Sequence, residues 1–160
     1  MIEVGDRLPE GSFRVKQDDG SVKQMTMHEL FDEQKVVLVG VPGAFTATCH
    51  NAHIPTFVRN AAAIKAKGVD RIAVMAVNDH HVMKAWHAAL VADGIDFLAD
   101  GSAVYAKAMG LDSDMSENGM GLRCKRFAMI VEDGVVKYLT LEPPGGKITV
   151  TGAEDVLTHL

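Results

Sequence analysis

Cysteine is scarce in this chain: two residues in 160, Cys49 and Cys124, with no C-x-x-C pair. So few thiols exclude a small secreted scaffold stapled by disulfides, and their separation fits none of the close zinc-ligand spacings. Basic residues are also short, 16 Lys and Arg against 21 Asp and Glu. The resulting net charge of -5 argues against the basic face that nucleic acid or an anionic membrane would require, so neither partner is expected. The apolar run 36–45 falls well below the roughly 20 residues that span a bilayer, and Pro42 interrupts it. The start Met1-Ile2-Glu3-Val4-Gly5-Asp6-Arg7 lacks the basic region and apolar core of a secretory leader. The expected location is therefore cytoplasmic and reducing, with both cysteines as free thiols.

What the chain has in plenty is ordinary core-forming sequence. Hydrophobic residues make up 48% and charged residues 23%, in keeping with a single globular domain over residues 1–160. Short strands are expected at 12–15 and 22–26, joined by the turn Gln17-Asp18-Asp19-Gly20, and a short helix at 28–32. Lys35–Val41 is continuous and β-branched, the mark of a strand buried on both faces. A helix is expected over 46–67, kinked where Pro55 removes a donor. A strand at 71–77, a helix at 79–92 with Trp86 as a core aromatic, a strand at 95–98 and a helix at 102–109 follow. The polar stretch 113–121 reads as a loop. Residues 126–131 and 135–141, split by Glu132-Asp133-Gly134, give the clearest hairpin signal. A capping box at Thr151-Gly152-Ala153-Glu154 starts a last helix that runs to the C-terminus. This order predicts an α/β fold with a mixed central β-sheet flanked by helices. A thioredoxin-like core with an N-terminal strand extension fits it best.

In such a sheet, chemistry is expected where buried parallel strands end. The strand at 35–41 delivers Pro42 through Cys49 to that place. With Thr46 at the N-cap, Cys49 falls in the first helical turn, facing unpaired N–H groups and the positive end of the helix dipole, both of which favour a thiolate. Two readings of each residue remain. Cys49 is either a reactive thiol or a buried, inert small hydrophobe. Thr46 is either a plain cap or a hydroxyl that accepts from a bound hydroperoxide or donates to the sulfur. Arg126, taken alone, reads as a surface charge at a hairpin edge.

The segment Val41-Pro42-Gly43-Ala44-Phe45-Thr46-Ala47-Thr48-Cys49, continuing His50-Asn51-Ala52-His53-Ile54-Pro55, resembles the peroxidatic segment of peroxiredoxins. Its P-x-x-x-[TS]-x-x-C pattern appears as Pro42, Thr46 and Cys49, in the form typical of the atypical type five or type II subfamily. Ala76-Val77-Asn78-Asp79, Lys125-Arg126-Phe127-Ala128 and the stretch 135–160 are similar to that subfamily as well. The resemblance implies catalytic roles for four residues. Cys49 would attack the peroxide, Thr46 would orient it, Pro42 would shield the sulfur, and Arg126 would hold the thiolate and a peroxide oxygen. The implied substrates are hydrogen peroxide and small alkyl hydroperoxides. No cofactor and no metal is implied, and the family's assembly is a homodimer packed through loops around the active site.

This chain departs from the pattern at the resolving cysteine, whose two subfamily positions are Val74 and Val150 here. A one-cysteine cycle is implied, with glutathione and glutaredoxin as reductant ahead of thioredoxin. Cys124 lies two residues from Arg126 and on its face if 124–130 is one strand, which makes it either a bystander or a resolving thiol. His50 and His53 flank Cys49, but two ligands make no metal site, so His53 reads as a supporting or packing residue. The competing functional reading is a redox sensor that relays Cys49 oxidation to a partner. The lack of C-x-x-C counts against a thioredoxin-type oxidoreductase.

Overall fold

The computed structural model describes residues 1–144 and 146–160. Strands β1 (Ser12–Lys16) and β2 (Val22–Thr26) form a hairpin, followed by the short helix α1 (Met27–Phe31). Strand β3 (Lys35–Val41) leads through the segment bearing Cys49 into α2 (Ile54–Ala66). Then come β4 (Arg71–Ala76), α3 (His80–Leu90), β5 (Ile95–Ala99) and α4 (Val104–Met109). The chain closes with β6 (Asp112–Met115), β7 (Gly121–Cys124), β8 (Phe127–Glu132), β9 (Val135–Leu141) and α5 (Ala153–Leu157).

Seven strands make one sheet in the order β2-β1-β5-β4-β3-β8-β9. β3, β4 and β5 are parallel, while β8 runs antiparallel to β3 and β9 to β8. This is the thioredoxin-like α/β arrangement with a mixed sheet and an added N-terminal hairpin at one edge. β3 lies between β4 and β8, and all but its first residue are buried, as its unbroken apolar sequence requires. Alternate residues feed two cores on opposite faces. Val37, Val39 and Val41 join Phe57, Ile64 and Trp86, while Val36 and Leu38 join Phe13, Phe31 and Phe127. Gly40 lies opposite Phe127, and a Cβ there would meet the Phe127 ring at 2.0 Å. Only glycine lets that ring lie across β3, and the ring anchors the strand that follows Arg126.

Four expectations need correction. The helix at 46–67 is not simply kinked: it starts at Ala47, widens into a π turn over Cys49–His53, and becomes α-helical from Ile54. The Ile54 N–H reaches the Cys49 carbonyl five residues back. A widened turn absorbs the donor that Pro55 lacks and relieves its ring from the preceding turn. The stretch 113–121 is no loop; β6 and β7 pair there as a separate two-stranded sheet around a 3₁₀ turn at Ser116–Asn118. Its half-exposed polar residues carried no alternation to announce it. α5 is shorter than expected and is capped at Gly152, because the Thr151 hydroxyl is bonded to Glu142 instead. Finally, 124–130 is not one strand: β7 ends at Cys124 and β8 begins at Phe127.

Candidate active site

The end of β3 sets the site. Beyond Val41 the chain turns through Pro42 to Thr46, with Phe45 held in the left-handed region at φ 62°, a conformation that stores about 1–3 kcal/mol in a non-glycine residue. The Ala44 N–H donates to the Asn78 side-chain carbonyl at 2.9 Å, which ties this turn to the end of β4. Arg123 on β7 braces it from the other side. Its Nε donates to the Met120 carbonyl at 2.8 Å, and Nη1 lies 3.4 Å from the Pro42 and Val77 carbonyls.

The Thr46 carbonyl accepts from the His50 N–H at 2.8 Å, so Thr46 sits at the cap position. Its hydroxyl does not cap. It donates to the Gly43 carbonyl at 2.7 Å, which leaves the oxygen oriented as an acceptor.

Cys49 is fully buried on the π turn. Arg126, in the link between β7 and β8, donates from Nη2 to Cys49 Sγ at 3.0 Å. Its Nη1 lies 2.8 Å from His53 Nδ1. A guanidinium only donates, so Nδ1 accepts. His53 Nε2 lies 2.8 Å from the Thr151 carbonyl, which only accepts, so the ring proton is on Nε2. Burial, opposed by the bond to Thr151 and reinforced by the Arg126 charge, lowers the His53 pKa to about 4. The imidazole is thus neutral and in one tautomer near neutral pH. His50 is engaged elsewhere: Trp86 Nε1–H donates to its Nδ1 at 3.0 Å, and Phe45 stacks on it.

Pro42, Thr46 and Arg126 line a cavity of about 830 Å³, together with Cys124, Met120 and Leu141. The structure therefore gathers the four residues singled out in the sequence. It assigns His53 specific partners, and it adds Thr151 and Glu142, which carried no signal of their own. Cys124 borders the cavity but belongs to the opposite core from Cys49. Burial, with the Asp100 and Asp112 carboxylates nearby, pushes its thiol far up. Both cysteines are free. Val74 is buried in β4 and Val150 is exposed.

A thioredoxin-like sheet that ends in a buried thiol, bonded to a guanidinium that itself lines a cavity, is the arrangement of a redox thiol protein. The redoxin family profile matches residues 3–157. Peroxiredoxin-2C of Oryza sativa subsp. japonica is 44% identical, over 99% of this chain and 98% of that one. Peroxiredoxin-2E-2, chloroplastic, of the same organism is 43% identical, over 99% of this chain and 72% of that one. The crystal structure of reduced Prx3 from Vibrio vulnificus in complex with hydrogen peroxide superposes with a TM-score of 0.94 at 45% identity, covering 99% of each chain. The chain belongs to the redoxin family and, within it, to the type II peroxiredoxins, which are thiol peroxidases.

Proposed function

We propose that this chain reduces hydrogen peroxide and small alkyl hydroperoxides through Cys49 and is recycled by glutathione and glutaredoxin. The carrying observation is the Arg126–Cys49 hydrogen bond beside the Thr46 hydroxyl. The Cys49 thiolate attacks the terminal peroxide oxygen. A sulfur–oxygen bond forms as the oxygen–oxygen bond breaks, giving Cys49 sulfenic acid and an alkoxide or hydroxide that takes up a proton. Thr46 Oγ1 accepts from the hydroperoxide O–H and aligns it. Arg126 stays on the charge as it moves from sulfur to the departing oxygen, and Pro42 closes the approach to water. Occupation of the related Prx3 by hydrogen peroxide supports this substrate class.

The reading of the second half of the cycle is supported by the residues at the candidate resolving positions. Val74 and Val150 stand at the subfamily's resolving positions, and the thiol of Cys124 is held protonated by its surroundings. A first external thiol condenses with the sulfenic acid and releases water. A second reduces the mixed disulfide, leaving Cys49 and an oxidised dithiol. The proposal includes a reducing, cytoplasmic setting and a homodimer packed through the active-site loops, where Phe45 is 49% exposed. The test is peroxide consumption with glutathione plus glutaredoxin, run against thioredoxin and its reductase. Faster turnover with the first pair is expected; turnover only with thioredoxin would overturn the choice of reductant.

A further inference from the structure

We propose that Glu142 is a positioning residue for peroxide reduction: its carboxylate gathers residues 149–151 so that the Thr151 carbonyl locks His53 in the tautomer that aims Arg126 at Cys49. The inference rests on Cys49 being the attacking thiol.

Glu142 follows the last residue of β9, and its N–H donates to the Arg126 carbonyl at 3.0 Å. One carboxylate then receives five donors from three consecutive residues. Oε1 accepts from the Thr149 N–H at 2.5 Å and from the Thr149 hydroxyl. Oε2 accepts from the Val150 N–H at 3.2 Å, the Thr151 N–H at 3.1 Å and the Thr151 hydroxyl at 2.6 Å. Among the described residues Glu142 makes no ion pair, so these donors alone balance its charge. Burial works against the charge, yet the bonds to Thr149 and Thr151 prevail and hold the carboxyl at about 2. It is ionised wherever the enzyme works.

What the clamp fixes is the direction of one carbonyl. Thr151 is buried, with both its N–H and its hydroxyl on Glu142, and its carbonyl is left to face His53 Nε2 at 2.8 Å. That contact places the ring proton on Nε2 and leaves Nδ1 to accept from Arg126. Arg126 thereby spends Nη1 on His53 and Nη2 on Cys49. If the carbonyl swings away, one of the two contacts that hold the proton on Nε2 is lost, and only the Arg126 donor at Nδ1 still opposes the other tautomer. The other tautomer points an N–H at the guanidinium N–H, and two donors facing each other displace Arg126 from the sulfur. A clamp that only tidied a loop would have no such effect.

The test combines two readouts on Glu142→Gln, which keeps the shape and loses the charge. Nitrogen-15 NMR of the imidazole reports the His53 tautomer, and stopped-flow oxidation by hydrogen peroxide reports the rate at Cys49. A mixed His53 tautomer and a rate about ten- to a hundredfold lower are expected, the scale set by small misplacements of reacting groups. In a His53→Ala background the same change should have little further effect, because both act through one chain of contacts. A wild-type tautomer and rate in Glu142→Gln, or an equal loss with and without His53, would overturn the proposal. Should Glu142→Gln not fold, Thr149→Val and Thr151→Val each remove one hydroxyl donor while keeping the carboxylate. Graded losses of tautomer purity and rate are expected, and none in the double variant would overturn it. If wild-type Cys49 itself proves inert to peroxide, the peroxidase reading fails, and the tautomer readout still decides on the clamp.

Discussion

Cys49 and Cys124 are equally buried and stand on opposite sides of one sheet, yet their surroundings treat sulfur in opposite ways. Cys49 receives a charged hydrogen bond from Arg126 at 3.0 Å. Cys124 has carboxylates nearby, and its thiol is driven up by burial. Equal burial thus goes with unlike surroundings: among the described residues, a guanidinium donor reaches the sulfur of Cys49 and not that of Cys124.

The contrast is broken most directly by removing each sulfur. Cys49→Ser should abolish peroxide consumption, while Cys124→Ala should leave it near wild type; alanine avoids burying a hydroxyl without a partner. Activity surviving in the first variant, or vanishing in the second without unfolding, would reverse the assignment. Next in size is Arg126→Ala, which removes the donor that distinguishes the two sites. A drop in kcat/KM of about 10² to 10³ is expected from the loss of one preorganised donor at developing charge, with the circular dichroism spectrum unchanged. An undiminished rate constant would take Arg126 out of the site.

The smallest effect is on stability. The unfolded chain protonates His53 near 6.5 and the folded chain only near 4. Stability fully present above pH 6.5 should therefore decline as pH falls through that interval, by on the order of 3 kcal/mol in total. His53→Gln keeps an acceptor for Arg126 and a donor for Thr151 but takes up no proton. Urea melts at pH 7 and pH 4.5 should show a steeper loss in wild type than in this variant, and equal losses would refute the buried neutral imidazole.

The legible parts of this protein were those written in local order. β3 shows as an unbroken β-branched run, the β8–β9 hairpin shows in Asp133-Gly134, and Pro42, Thr46 and Cys49 carry their spacing within eight residues. Arg126 was legible by resemblance and not by pattern. His53 was visible as a neighbour of Cys49, but its partners were not, since Thr151 lies 98 residues away and contributes a backbone carbonyl that any residue could supply. Glu142 was hidden for the same reason. Its donors are mostly main-chain N–H groups, and composition does not reveal where those point. The β6–β7 pair escaped because neither strand buries a full face.

The π turn at Cys49–His53 has a further meaning when read as helical phase. Each residue of an α-helix turns the chain by about 100°, and a π turn is one residue inserted into that count. Upstream of it, the phase is set by Cys49 facing Arg126. Downstream, it is set by Phe57 and Ile64 facing the core. The inserted residue sets the two phases relative to each other, and Cys49 falls in the same buried cluster as Phe57 and Ile64. Chain length in this turn is consequently as constrained as residue identity: one residue fewer between 50 and 53 would force a choice between the buried stripe and the sulfur.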